Sequence, residues 1–346
     1  MQRRIDITEK NCVVIGAAAG LLPELLPAST RIVVITDSNV AHLHARLLEP
    51  FEKIVIEAGE ASKTLSTIEQ IHRQLIALGA DRSTFILGVG GGVVTDISGF
   101  VASTYMRGIR FGFVTTTLLG AADASVGGKN GVNVDGKKNM VGTFTQPEFV
   151  ICDTSLFATL PDREFMAGLA EIIKVAVIAD SELFSLIEQT SFSELRTESR
   201  RLATIVERAI RIKADVVAAD EREGGLRRIL NFGHTLAHAI ESLSLGYNHG
   251  EAVAIGIYHT TIAAHAAGFI GTKATQRICR LIEHYGYEVT LPAAMELLVE
   301  ATQSDKKREG DSIHIVLPGG IGSVVQRKLT FNDLKRLFNY DKGIII

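Results

Sequence analysis

The chain has 346 residues, of which 46% are hydrophobic and 22% charged, and its formal net charge is −3. The near-neutral charge gives no electrostatic reason to expect nucleic-acid binding, and no segment approaches the roughly 20 apolar residues of a membrane span. The three cysteines form no CxxC pair, and no apolar run of signal-peptide length follows the N-terminal arginines, so we expect a cytoplasmic protein without disulfides.

The first third of the chain alternates between strand and helix patterns. Helical periodicity fits residues 39–48 and 64–79. Short apolar runs rich in β-branched residues predict strands at Arg31–Asp37, Lys53–Glu57, Thr84–Val89 and Phe111–Thr115. Buried strands separated by helices predict an α/β domain with a parallel sheet.

From about residue 160 helical periodicity dominates the chain. The candidate helices are 162–178, 181–189, 193–219, 229–245, 249–268, 272–285 and 292–302. Near the end, Ser312–Leu317 and Ser323–Lys328 predict a hairpin across Pro318–Gly322. We therefore predict two domains, a nucleotide-binding α/β domain at 1–157 and an all-helical domain at 158–346.

A glycine cluster follows the third predicted strand, in the segment Gly88–Asp96 (GVGGGVVTD). Three glycines between a strand and an apolar helix start let the backbone approach a phosphate, which the helix N-terminus would favour. The alternative is a tight strand-to-helix turn without a ligand. Asp37, at an earlier strand end, suits a ribose hydroxyl or is an ordinary strand-end carboxylate.

A second glycine-rich segment, Thr115–Gln146, holds Lys129, Lys137 and Lys138. Lysines on such a loop suit a phosphate or a carboxylate. The alternative is a surface loop with solvated charges.

Three histidines and a carboxylate form a candidate metal set. His234 and His238 are four residues apart on one helical face, His249 begins the next helix, and Glu171 lies in an apolar helix where an unpaired carboxylate is costly. Two histidines and one carboxylate suit a catalytic zinc with an open position. Spacing does not decide which two histidines bind, and hydrogen-bonded helix histidines remain the alternative.

Scattered basic residues accompany this set, and each alone could be a solvated surface charge. They are Arg107, Lys174, Lys213, Arg227, Lys306 and Lys307. Together with the glycine turn and the metal candidates, they favour a metal- and NAD-dependent enzyme acting on a phosphorylated small molecule.

Six motifs occur together in one order: GGGVVTDISGFVAS, SVGGKNGVN, GLAEIIK, LNFGHTLAHAIE, HGEAVAIG and DKKREGD. In this combination the chain resembles the 3-dehydroquinate synthase family over roughly residues 31–318. The resemblance implies a nucleotide-binding α/β domain followed by a helical domain, as in glycerol dehydrogenases.

The resemblance also implies an activity. The family converts 3-deoxy-D-arabino-heptulosonate 7-phosphate to 3-dehydroquinate and phosphate, in the shikimate pathway of aromatic amino acid biosynthesis. It uses catalytic NAD⁺ and a divalent zinc or cobalt ion for a transient oxidation, phosphate elimination, reduction and intramolecular aldol step. The implied assembly is a homodimer.

The family's site residues transfer onto this sequence by motif. The metal ligands would be Glu171, His234 and His249. Arg107 would reach the phosphate from the partner subunit, and the other substrate-side residues would be Lys129, Asn139, Lys174, Lys213, Arg227, Asn231, His238 and Lys306. NAD would be bound by Asp37, Glu60, Lys63, Gly91, Gly92, Val93, Asp96, Thr116, Thr117, Asp123, Lys129 and Lys138. Thr95 stands where the family usually has glycine, and Asn130 where threonine is common.

Two other enzymes and a non-catalytic binding protein compete with this interpretation. A sibling sugar-phosphate cyclase would share the metal, NAD and phosphate residues, but Lys213 and Arg227 together favour a substrate with a carboxylate. A metal-dependent polyol dehydrogenase would not need the lysine-rich segment. Intact candidate metal ligands argue against a binding protein.

Overall fold

The computed structural model describes residues 2–8, 11–302 and 308–339, which form two compact units. Unit 1 contains the described residues up to Gly168 together with Leu202–Arg222. Unit 2 contains Leu169–Arg201 and the described residues from Glu223 onwards. These units differ from the predicted domains 1–157 and 158–346, because 158–168 and Leu202–Arg222 group with unit 1. The domain assignment itself stays a prediction.

Unit 1 is built on a seven-stranded sheet with the order β1-β2-β9-β6-β5-β3-β4. Its strands are β1 (Arg3–Thr8), β2 (Asn11–Ile15), β3 (Ile32–Asp37), β4 (Glu52–Ile56), β5 (Phe85–Gly90), β6 (Phe111–Thr115) and β9 (Phe149–Cys152). The β1–β2 pair is antiparallel and every other pairing in the sheet is parallel. The predicted parallel sheet is therefore confirmed, and each end of its four predicted strands lies within one residue of the predicted position.

Helices and tight turns join these strands. The unit 1 helices are α1 (Ala18–Leu25), α2 (Ser38–Leu43), α3 (Ala45–Leu48), α4 (Leu65–Ala77), α5 (Gly92–Thr104) and most of α9 (Ser199–Ala219). Short 3₁₀ segments are Glu60–Ser62, Tyr105–Arg107 and Thr154–Thr159, and Gly120–Ala124 is a π turn. Strands β5 and β6 are buried along their whole length, as expected for central strands covered on both faces.

The chain changes direction across the sheet between β3 and β5. From β3 the chain continues to β4, which pairs with one edge of β3. It then returns to β5 on the opposite edge of β3 and continues from there to β6, in the direction away from β4. In open parallel sheets such a switch point leaves a crevice beyond the carboxyl ends of the two strands. Asp37 ends β3 and Gly91 follows β5, so both lie at this crevice.

The glycine-rich segment is a β-hairpin rather than the predicted loop. Its strands are β7 (Lys129–Val134) and β8 (Lys137–Phe144), with Gly131 opposite Gly142. A Cβ on Gly142 would overlap the carbonyl oxygen of Asn130, so the close strand approach requires glycine there.

Unit 2 is mainly helical. Besides the later part of α6 (Asp162–Ala179), it contains α7 (Ser181–Glu188), α8 (Phe192–Thr197), α10 (His234–Ser242), α11 (His249–Ala266), α12 (Thr272–His284), α13 (Met295–Ala301), α14 (Phe331–Phe338) and the 3₁₀ segment Leu226–Asn231. It also contains an antiparallel sheet of β10 (Arg308–Glu309), β11 (Ser312–Gly320) and β12 (Ser323–Thr330). The predicted β11–β12 hairpin is confirmed, and the description of this part as all-helical was incomplete.

Two glycines allow α10 and α11 to meet closely. Gly233, just before α10, has φ +77°, and a Cβ on Gly256 would overlap the Gly233 carbonyl oxygen. Side chains at this crossing would therefore push the two helices apart. Among the described residues, no helix combines the length and the apolar character needed to cross a membrane.

Candidate metal centre and nucleotide site

A buried carboxylate on α6 is the centre of the first site. Glu171 is 1% exposed, and one of its oxygens, Oε2, accepts a hydrogen bond from the equally buried Lys174. Its other oxygen, Oε1, lies 3.5 Å from Nε2 of His234 and 3.2 Å from Nε2 of His249. The same nitrogen of both histidines therefore faces one carboxylate oxygen.

Both histidine rings are held from their opposite nitrogen. Nδ1 of His234 is 3.1 Å from the carbonyl oxygen of Phe232. Nδ1 of His249 is 3.4 Å from a carboxylate oxygen of Glu241, whose side chain is 8% exposed. Burial lowers the pKa of His249, but the hydrogen bonds and charges of Glu171 and Glu241 outweigh it and raise the pKa to about 10.

The geometry of these donors fits a divalent metal. Glu171, His234 and His249 each offer a ligand atom, and all three atoms lie within 4.8 Å of one another. One carboxylate oxygen and two imidazole nitrogens are a common ligand set for catalytic zinc. His238 stands beside this group, with its ring centroid 5.4 Å from that of His234. The three residues whose ligand atoms lie together are those that the resemblance implies as metal ligands, and His238 is not one of this group.

The glycine turn in unit 1 joins β5 to α5 beside the loop after β6. A Cβ on Gly91 would lie 2.8 Å from the Thr117 methyl carbon, and one on Gly90 would lie 2.5 Å from Val94. The turn therefore has room for glycine alone, and α5 begins with its backbone N–H groups at the sheet's switch point, where an anion would be favoured. Thr95, which stands where the family usually has glycine, is buried, and its hydroxyl donates to the Gly92 carbonyl.

A hydrogen-bonded network connects four of the expected cofactor or substrate residues. The ammonium of Lys63, 4% exposed, donates to Asp96 and to the side-chain oxygen of Asn139. Asn133 accepts a bond from the Asn139 backbone at 2.9 Å and donates to Glu60 at 2.7 Å. Asn133 was not predicted as a site residue, although it stands between the lysines of the glycine-rich segment.

Lys213 belongs to unit 1, whereas the sequence placed it in the helical domain. It projects from α9, is 5% exposed, and donates to the Asp123 carboxylate at 2.5 Å. A buried lysine requires a nearby anion, and the fold supplies one from the expected NAD-binding set.

The remaining expected residues are distributed as follows. Asp37 caps α2 by accepting from the Val40 backbone at 2.9 Å, and Asn231 donates to Glu223 at 2.7 Å. Arg227 and Thr116 are buried, and Gly92 and Val93 begin α5. Three of these remaining residues are exposed: Arg107, Lys129 and Lys138. Lys306 and Lys307 lie outside the described residues.

The chain combines a glycine turn at the sheet's switch point, where a nucleotide would bind, with a His–His–Glu cluster that fits a metal. These two features define the class of protein: an enzyme that uses both a nucleotide cofactor and a metal ion. Family models of the 3-dehydroquinate synthase N-terminal and C-terminal regions match residues 53–167 and 168–308. A 3-dehydroquinate synthase of Leptospira interrogans is 40% identical over 337 residues, which are 94% of this chain and 93% of that protein. The chain belongs to the 3-dehydroquinate synthase family.

Solved structures agree with this fold. A 2-deoxy-scyllo-inosose synthase complexed with carbaglucose-6-phosphate, NAD⁺ and Co²⁺ has a TM-score of 0.87 at 26% identity, covering 98% of this chain and 99% of its own. A 2-epi-5-epi-valiolone synthase of Streptomyces hygroscopicus with NAD⁺ and Zn²⁺ bound has a TM-score of 0.85 at 30% identity, covering 94% of both chains. A probable glycerol dehydrogenase of Sinorhizobium meliloti and an iron-containing alcohol dehydrogenase share the fold at 18% and 14% identity, with TM-scores of 0.60 and 0.63.

Proposed function

We propose that this protein converts 3-deoxy-D-arabino-heptulosonate 7-phosphate to 3-dehydroquinate and phosphate. The proposal is carried by the match of this chain to both 3-dehydroquinate synthase family models, combined with the convergence of Glu171, His234 and His249 in unit 2. The reaction is redox-neutral overall, since the substrate equals the sum of the two products. It therefore needs no external oxidant.

The cofactors are NAD and a divalent ion, zinc or cobalt, in agreement with the ligands named for the two cyclase structures. When bound, NAD⁺ accepts and returns a hydride, and the metal polarises the reacting hydroxyl and the ketone formed from it. Glu171, His234 and His249 hold the ion, and Lys174 keeps the Glu171 carboxylate in place through its second oxygen.

The NAD site is at the switch point of unit 1. Gly91, Gly92 and Val93 bring the start of α5 to the pyrophosphate, and Thr116 and Thr117 line the neighbouring loop. Asp37 accepts a ribose hydroxyl and repels the extra phosphate of NADP. The other contacts come from Glu60, Lys63, Asp96, Asp123, Lys129 and Lys138.

The substrate has two anionic ends, and buried cations match that chemistry. Lys213 and Arg227, 5% and 3% exposed, bind the carboxylate. The phosphate is held by Lys129, Asn139, Asn231, His238 and Lys306, and it acts as the base for its own elimination. Lys174 lies next to the reacting carbon.

The assembly is a homodimer in which Arg107 acts in the partner's site. The supporting observation is backbone strain in an exposed turn, where Met106 and Arg107 both have positive φ angles, +48° and +71°. Non-glycine residues adopt such angles at a cost, and strained backbone concentrates at functional sites. A cytoplasmic location stays a prediction.

A sibling cyclase is the second candidate, favoured by the 30% identity to the valiolone synthase over 94% of the chain. The distinction is at the substrate's carboxylate end. Loss of Lys213 or Arg227 would harm use of a carboxylate-bearing sugar phosphate more than use of one lacking it.

The test is phosphate release from heptulosonate 7-phosphate by the purified protein with zinc and catalytic NAD⁺, while absorbance follows NADH. We expect stoichiometric phosphate without net NADH, loss of activity after chelation, and recovery with zinc or cobalt. NADH accumulating from a polyol would instead indicate a dehydrogenase. Preferred release from a sugar 7-phosphate without a carboxylate would indicate a sibling cyclase, and full activity in metal-free protein would refute the metal assignment.

A further inference from the structure

The two histidines of the metal centre are oriented by different kinds of acceptor. Each has Nε2 directed at the Glu171 oxygen that would share the metal. A histidine that binds a metal through Nε2 is neutral and keeps its proton on Nδ1, where each of these rings has an acceptor. For His234 the acceptor is a backbone carbonyl. For His249 it is the carboxylate of Glu241, near the end of α10 and eight residues earlier in the chain.

The Glu241 carboxylate also affects the charge balance of the metal site. The Glu171 carboxylate is paired with the Lys174 ammonium, so these two charges cancel to first order. Histidines that bind a metal are neutral and add no charge. A divalent cation would then leave about two positive charges in a largely buried place, which is unfavourable without a further anion. Glu241 supplies that anion, and its side chain is 8% exposed.

We propose that Glu241 is a positioning residue for the metal centre: it fixes His249 with Nε2 toward the metal and offsets the metal's charge. The inference rests on the proposed metal site. It is independent of the substrate, because it concerns metal binding alone. Contacts of this kind typically change metal affinity about 10- to 100-fold.

The experiment measures Zn²⁺ and Co²⁺ affinity of the full chain by competition with a chromophoric chelator, with no substrate present. Glu241→Leu and Glu241→Gln are each expected to weaken Zn²⁺ binding about 10- to 100-fold, and to change the visible spectrum of bound Co²⁺. The leucine variant removes the hydrogen bond and the charge, whereas the glutamine variant retains an acceptor and removes the charge, so the glutamine variant is expected to bind metal more tightly of the two.

Ser242→Ala is the matched control, because Ser242 is the next residue on α10 and its hydroxyl donates to the Ala239 carbonyl rather than to the site. The control should bind metal as the parent does. Parental Zn²⁺ affinity in either folded Glu241 variant would overturn the proposal. The proposal would also be overturned if Glu241→Gln lost Zn²⁺ binding as completely as Glu171→Gln does, because Glu241 would then be a metal ligand itself. The failure of the proposed activity, with metal binding affected as expected, would leave this inference standing.

Discussion

At the scale of single residues, this protein buries charges in pairs. Lys63 is held by Asp96, and Lys174 by Glu171. Lys63 does not fully compensate the burial of the Asp96 carboxylate. Burial raises the pKa of this carboxyl to about 6, although the charge and hydrogen bond of Lys63 lower it. An ionised Asp96 therefore costs stability in the folded protein.

The first prediction concerns the pH dependence of that cost. The folded pKa of Asp96, about 6, is above the model-peptide value of 3.8. The folded state therefore binds the proton more tightly, and the contribution of Asp96 to stability falls as pH rises from about 4 to about 6. Asp96→Asn should remove this fall, so its free energy of unfolding should rise relative to the parent by up to about 3 kcal/mol between pH 4 and pH 7.5.

Urea unfolding of parent and variant at pH 4, 6 and 7.5 measures the difference. Asp81→Asn is the control of opposite sign, because hydrogen bonds with Ser83 and Thr84 lower the pKa of Asp81. That residue loses its stabilising contribution as pH falls, so its variant should lose relative stability with rising pH. A difference between parent and Asp96→Asn that is the same at all three pH values would contradict the assignment.

At the scale of elements, the crossing of α10 and α11 sets the distance between two of the proposed metal ligands. His234 begins α10 and His249 begins α11. The helices approach closely because Gly233 and Gly256 present bare backbone to each other. The separation of the two histidines therefore depends on a contact two helical turns beyond His249.

We expect Gly256→Ala to lower the free energy of unfolding by about 1–3 kcal/mol through overpacking, and to weaken Zn²⁺ binding by moving His234. Urea unfolding and metal titration measure the two effects. Gly271→Ala is the matched control, since Gly271 precedes α12 at φ −78° and a Cβ there would meet no atom within 4 Å. Equal stability and metal affinity in the two variants would refute this role of the crossing.

Prediction of elements from sequence succeeded where the signal was local. β6 was predicted at Phe111–Thr115, where it lies, and α6 within one residue of its end. The β7–β8 hairpin was missed because its glycines lack strand propensity. They are nevertheless required by tertiary contacts: Gly131 and Gly142 let the strands meet, and Gly99 of α5 leaves space for the Asn130 side chain.

At the scale of the whole molecule, the chain leaves unit 1 within α6 and returns to it for Leu202–Arg222. The sequence composition does not change where the chain returns to unit 1 at Leu202. The sequence therefore predicted a single domain boundary, between residues 157 and 158. The consequence of the return is that Lys213 is joined to Asp123 inside unit 1.

The prediction at this scale tests the homodimer. Arg107→Ala and Lys129→Ala are each expected to be nearly inactive alone. After subunit exchange in an equal mixture, random pairing should restore about a quarter of the sites if Arg107 acts across a two-fold interface. Phosphate release measures the recovery.

The control mixture is Lys63→Met with Lys129→Ala, two residues of unit 1 proposed to act in their own chain's site, and it should stay inactive. An Arg107 mixture that also stays inactive, in protein shown to have exchanged subunits, would mean that Arg107 acts within its own chain.

The sequence by itself determined the class of elements and the chemical inventory. Hydrophobic periodicity is local, and motif order identified the family and singled out Glu171, His234 and His249 as the proposed metal ligands. Only the tertiary structure decided which atoms meet: that Nε2 of both histidines faces one Glu171 oxygen, that Glu241 holds His249, and that Asn133 ties Glu60 to Asn139. These contacts depend on the crossing of helices and the folding of a hairpin far apart in sequence, which close packing selects and local pattern does not encode.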